Sequence, residues 1–105
     1  MHVKKIDDNY LEFDNGYIIS ASDDNDQVNM VYNYADFNQI SDEIKDIDFP
    51  ESLNFEMCDN YGFRFGFGNF MIFVPCYSEQ NGYYSNELDV FYNDKIVLKG
   101  VYTTE

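Results

Sequence analysis

Leu53-Asn54-Phe55-Glu56-Met57-Cys58, a turn at Asn60-Tyr61-Gly62, and Phe63-Arg64-Phe65-Gly66-Phe67-Gly68 form the stretch that decides the fold. Leu53, Phe55 and Met57 alternate with Asn54, Glu56 and Cys58, and Phe63, Phe65 and Phe67 alternate with Arg64, Gly66 and Gly68. A period of two sends successive side chains to opposite faces of a pleated strand, so two strands joined by a turn are expected. Gly62, Gly66 and Gly68 read as turn or bulge glycines, because no helix follows them to make a phosphate cradle.

Downstream, Phe70 to Val74 is a continuous apolar run, which predicts a central strand buried on both faces. Pro75 lacks an N–H and is expected to end its ladder. After the polar loop Ser78-Glu79-Gln80-Asn81-Gly82, Leu88, Val90 and Tyr92 alternate with Glu87, Asp89 and Phe91. Asn93-Asp94-Lys95 then turns the chain into Ile96 to Val101, a second hairpin. Upstream, Tyr10, Leu11 and Phe13 precede Asp14-Asn15-Gly16, and Tyr17, Ile18, Ile19 and Ala21 follow. Asn-Gly is a hairpin signal because both residues tolerate positive φ. Residues 22–29 are polar without apolar periodicity and read as an exposed loop.

Between Asp36 and Asp48 the period changes. Phe37, Ile40, Ile44 and Ile47 recur at spacings of three, four and three, the stripe of an amphipathic helix. Asp36 is placed to cap it with Gln39 reaching back, and Pro50 ends the run. Its outer face carries Asp42, Glu43, Lys45 and Asp46. The expected fold is α+β: one domain over residues 1–105, with an antiparallel sheet of about six strands and one packed helix over about 36–48.

The chain has 105 residues, 45% of them hydrophobic and 19% aromatic, which is too apolar for an acidic disordered tail. Size scaling predicts that folding buries roughly 65% of the extended chain's surface, enough for one core. Twenty Asp and Glu against six Lys and Arg give a net charge of −14. That sign opposes direct binding to DNA, RNA or an anionic membrane, whose affinity comes from Lys and Arg neutralising phosphates. No apolar run approaches the ~18 residues of a membrane span, and the start of the chain lacks a signal-peptide core, so a cytoplasmic location is expected. Cys58 and Cys76 are two cysteines without a framework, read as buried free thiols.

Catalytic groups are scarce. His2, the single histidine, sits at a terminus expected to fray, so no Ser/His or Cys/His pair can be drawn on a rigid scaffold. Asp23-Asp24-Asn25-Asp26 has the charge of a calcium loop but lacks the glycine at position six and the glutamate at position twelve. Two cysteines separated by 17 residues close no zinc site. Glu43-Ile44-Lys45 lies on the expected helix rather than on a nuclease strand. No enzyme activity, metal or other cofactor is expected.

Charge distribution is the informative feature. Residues 1–52 carry 13 acids and 3 bases, residues 53–105 only 7 acids and 3 bases. Spread evenly, one net charge per roughly 400 Å² would not imitate duplex DNA at one phosphate per roughly 100 Å². Clustering of Asp23, Asp24 and Asp26 with Asp42, Glu43, Asp46 and Asp48 could approach that density. Like charges at 42 and 46 and acids at a helix C-terminus each oppose helix stability by a few tenths of a kcal/mol, a hint that binding placed them there. Tyr77, Tyr83 and Tyr84 flank the 78–82 loop and suit an apolar anchor at a protein interface.

Glu12-Phe13-Asp14-Asn15-Gly16-Tyr17, Tyr34-Ala35-Asp36-Phe37, Gly62-Phe63-Arg64-Phe65-Gly66 and the run Val74 to Ser85 together resemble a family of short acidic proteins encoded by bacteriophages and prophages. Where members carry Asp-Gln-x-Cys-Cys-Glu, this chain has Asp26-Gln27-Val28-Asn29-Met30-Val31, so no thiol role carries over. The resemblance implies a mobile-element origin and an infected bacterial cell as setting. In size and charge the chain is also similar to anti-CRISPR and anti-restriction inhibitors, acidic proteins that occupy nucleic-acid channels.

The expected function is therefore a non-enzymatic, phage-encoded inhibitor that mimics nucleic acid on a basic nucleic-acid-binding protein such as a CRISPR effector nuclease. Its candidate contacts are Asp23, Asp24, Asp26, Asp42, Glu43, Asp46, Asp48, Tyr77, Tyr83 and Tyr84. The alternative is a small interaction module with an unrelated phage or host partner, using sheet-edge pairing or self-association as a homodimer.

Overall fold

In the computed structural model, residues 1–23, 33–79 and 86–104 are described, Asp23 by its backbone alone. Nine strands run through these residues: β1 (Val3–Asp7), β2 (Tyr10–Phe13), β3 (Ile18–Asp23), β4 (Asn33–Ala35), β5 (Asn54–Cys58), β6 (Gly62–Phe67), β7 (Phe70–Ser78), β8 (Glu87–Tyr92) and β9 (Lys95–Tyr102). A 3-10 turn, Phe37–Ile40, leads into α1, Ser41–Ile44. The strands form two antiparallel sheets, ordered β1-β2-β3-β8-β9 and β4-β7-β6-β5, in place of the expected single sheet of about six. The two unexpected strands are β1 and β4. Edge strand β1 offers only Val3 and Ile6 as inward residues, and β4 is three residues long with only Asn33 and the small Ala35 turned inward, so neither carries a readable apolar alternation.

Both sheets share one core. Leu11, Phe13, Ile19, Leu88, Val90 and Val101 come from the first sheet, and Phe63, Phe65, Ile72, Val74 and Cys76 from the second. Phe49 joins them, its ring 5.5 Å from Phe13 and 5.8 Å from Phe65. The radius of gyration, 13.2 Å, matches the ~13 Å of a compact domain of this size.

Two backbone stitches tie the sheets. Asn9, at φ 65° in the β1–β2 turn, donates its N–H to the Ala35 carbonyl (2.9 Å) and accepts the Ala35 N–H on its side chain (2.7 Å). Its own carbonyl accepts from Ala21 in β3 (3.0 Å). At the other end, Thr104 runs parallel to Tyr77, donating to the Cys76 carbonyl (3.0 Å) and accepting from Ser78 (2.6 Å).

The helix is shorter than its stripe. Asp36 caps it as expected, accepting from Gln39 N–H at 3.2 Å, and Phe37, Ile40 and Ile44 are buried. Helical structure nevertheless stops at Ile44, because Asn, Ser, Asp and Ile supply little helix propensity and Asp46 and Asp48 would oppose the dipole at its C-terminus. Gln39 does not reach back to the Asp36 N–H, which is taken by the Pro75 carbonyl (2.9 Å).

β7 runs through Pro75 instead of ending there. Pro75 faces the position where β4 has already left the ladder, so its missing N–H deprives no strand of a bond. Nor is β7 buried on both faces: Ile72 and Val74 are buried, but Met71 and Phe73 on the opposite face are only part-buried. Gly62 and Gly66 lie inside β6 rather than in turns. A Cβ at Gly66 would stand 1.9 Å from the Phe70 carbonyl oxygen, and one at Gly62 would stand 2.3 Å from that of Val74. The two-residue turn with φ positive at both positions is Asn93-Asp94, whereas the first hairpin uses only Gly16, at φ 90°. The start of the chain is held rather than frayed: Phe49 N–H donates to the Met1 carbonyl (2.8 Å) and Asp14 N–H to that of His2 (2.8 Å).

Candidate functional site

The face that gathers unneutralised charge is built where β4, β7 and the β1–β2 turn meet. Alternation along β4 buries Asn33 and Ala35 and turns Tyr34 the other way, where it pairs in register with Tyr77. The two rings stand 5.7 Å apart. Gln39 donates from Nε2 to the Tyr77 hydroxyl (3.1 Å), and Asn38 donates to Asp8 (3.2 Å), which fastens the 3-10 turn to both elements. Burial pushes the Tyr34 phenol pKa up, and the nearby charges of Glu79, Asp36 and Asp8 push it further in the same direction. Three carboxylates thus act on one member of the tyrosine pair, and among the described residues no ion pair reaches any of them.

Of the residues singled out from sequence, Tyr77 belongs to this face, and Asp42, Glu43 and Asp46 are exposed on the segment that follows it. They do not form one helical stripe, since α1 ends before Asp46. Asp42 has Lys45 at 3.9 Å, both side chains well exposed. Asp48 is turned to other use: its carboxylate accepts from the Met1 amino group at 2.9 Å, and that bond and charge hold its pKa below the ordinary carboxylate value. Asp23 ends β3, and Asp24, Asp26, Tyr83 and Tyr84 lie outside the described residues. Sequence reading passed over Tyr34, Asp8 and Glu79, and took Asp36 only as a cap. Pairing of residues 34 and 77 brings them together, and no local pattern announces a contact across 43 positions of chain.

Arg64 pairs with Glu56 on the outer face of β6 and β5, beside a shallow groove of about 490 Å³ that also touches Cys58 and Phe73. Cys58 and Cys76 are free thiols, and burial pushes both pKa values up, to about 12 for Cys76, which leaves neither a ready thiolate. His2 stands beside Asp14 on the surface (3.9 Å). No group of three metal-ligating side chains occurs among the described residues, and no described helix is long and apolar enough to cross a membrane.

Fold and face together describe a small two-sheet domain with an acidic, tyrosine-centred surface. Comparison with protein-family models, with curated proteins and with solved structures finds no match.

Proposed function

We propose that this protein is a non-catalytic binding protein whose acidic face docks on a basic, nucleic-acid-binding surface of another protein, in the manner of the phage-encoded nuclease inhibitors it resembles in size and charge. The observation that carries this reading is the Tyr34–Tyr77 pair with the charges of Asp8, Asp36 and Glu79 acting on Tyr34 and, among the described residues, no ion pair to any of the three. Carboxylates without an ion-pair partner attract Arg and Lys from outside, steer association, and make it sensitive to salt. The tyrosines add rigid contact area with polar tips, the chemistry of an interface anchor. A CRISPR effector is the proposed partner class, since its guide and target channels are basic.

The test is capture from a bacterial lysate containing CRISPR effectors, at low and moderate salt, with and without competing DNA. Wild-type chain should retain a nucleic-acid-binding protein that DNA displaces, and an Asp8→Asn, Glu79→Gln variant should retain at least tenfold less. Equal retention by that variant, or a partner indifferent to DNA, would overturn the mimic reading.

A further inference from the structure

One stretch of β7 has lost its neighbour. Cys76 N–H donates to the Tyr61 carbonyl (3.0 Å), toward β6, while the Pro75 carbonyl accepts from Asp36 on the β4 side (2.9 Å). Backbone groups of a strand alternate in direction, so Ile72 and Val74 bond to β6, and Met71 and Phe73 aim theirs away from it. β4 covers only Cys76–Ser78 before the chain turns off at Asp36. The N–H and C=O groups of Met71 and Phe73 therefore have no strand partner among the described residues. They open on a groove of about 640 Å³ whose near wall is Phe70, Met71, Phe73 and Pro75 and whose far wall is Gln39, Ile40 and Glu43.

We propose that this groove binds an extended, basic segment of a partner protein, which adds to the second sheet as a strand on the line β4 vacates. From Met71 to Pro75 the edge is about 14 Å long at ~3.4 Å per residue, room for four or five residues antiparallel to β7. Successive side chains of such a segment face opposite ways. One set meets the apolar strip of Met71 and Phe73, and the other meets the helical wall, where Glu43 selects Lys or Arg. A second copy of this chain is the disfavoured occupant, because it would bring another net charge of −14 to the same edge.

The probe is an eight-residue peptide alternating valine and lysine, with a control of equal charge in which a central valine is proline. Amide exchange is read residue by residue. In the free chain Met71 and Phe73 should exchange fast and Ile72 and Val74 slowly. The alternating peptide should slow exchange at 71 and 73, and the proline control should not. Met71→Pro removes an N–H that faces the groove, as Pro75 already does on the same edge, so the fold should hold while peptide affinity falls at least about tenfold. Met71→Val keeps the N–H and should bind within a few-fold of wild type.

Protection of 71 and 73 in the free chain, protection that grows with protein concentration alone, no peptide effect, or wild-type affinity in Met71→Pro would each overturn the proposal. Should Met71→Pro not fold, the two peptides decide the matter on the wild-type chain. Met71→Pro leaves every charge in place and neutralising Asp8 and Glu79 leaves the edge amides in place, so failure here and failure of the acidic-face reading are separable.

Discussion

Cys76 and Tyr92 hold their protons for the same reason. Burial is the main cause in each case, joined at Cys76 by the neighbouring Cys58 and at Tyr92 by Tyr17 and Glu51, and both pKa values are pushed up to about 12. The Tyr92 hydroxyl also donates to the Glu51 carbonyl at 2.5 Å. Because the folded chain binds these protons more tightly than the unfolded chain, their stabilisation is complete below pH 9 and is lost as pH rises toward 12. Urea unfolding from pH 8 to 12 should show a falling midpoint. Cys76→Val should remove the part that begins near pH 9, and Tyr92→Phe the part that begins near pH 10; identical curves for all three proteins would exclude both groups as the cause. Gly66 makes a different residue-scale prediction. Its absent Cβ is required by the Phe70 carbonyl 1.9 Å away, which is backbone and cannot swing aside, so Gly66→Ala should destabilise by more than about 2 kcal/mol. A melting temperature equal to wild type would show that β6 and β7 can separate locally. In the sequence this glycine read as a turn or bulge residue; that it marks a close approach of two paired backbones was not visible.

At the scale of elements, local pattern and long-range pairing divide cleanly. The alternations at 63–67 and 88–92 give β6 and β8, and the stripe Phe37, Ile40, Ile44 gives a buried helical face, because each signal lies within one turn or strand of itself. Division into two sheets was not legible, since it depends on pairings such as β3 with β8 and β4 with β7 that no window of sequence contains. The candidate site follows the same rule: Tyr77 was found beside a polar loop, while Tyr34, Asp8 and Glu79 became neighbours only through β4–β7 pairing and the Asn38–Asp8 bond. Asn9 is where this logic can be tested. Asn9→Ala removes the partner of the Ala35 N–H and places a Cβ-bearing residue without a polar side chain at φ 65°, and should cost about 2–4 kcal/mol. Asn9→Gly keeps the backbone conformation, so the difference between the two variants in chemical denaturation isolates the strain. Equal losses would mean that the side-chain bond carries the whole effect.

For the whole molecule the question is what the surplus of acid does to the fold that carries it. Shared over 6171 Å², 14 net charges occupy about 440 Å² each, far more dilute than a duplex, so mimicry has to be local. The bases do little to relieve the acidic face. Lys4, Lys45 and Arg64 are paired with Glu12, Asp42 and Glu56, Lys5 stands over the Tyr10 ring 5.7 Å from its centre, and Lys95 and Lys99 lie on β9, at the opposite edge of the first sheet from β1. Self-repulsion should therefore lower stability at low ionic strength, and screening should restore it. A variant with Asp8→Asn and Glu79→Gln keeps the acceptor that Asn38 uses and deletes only charge. It should melt roughly 2–4 °C above wild type in dilute buffer, and the gap should close near ~0.5 M salt, where the Debye length is about 4 Å. A variant that melts below wild type would assign these carboxylates a structural role through their hydrogen bonds. A variant that melts higher while losing its partner shows charge retained against the interest of the fold, which is what a surface made for binding requires.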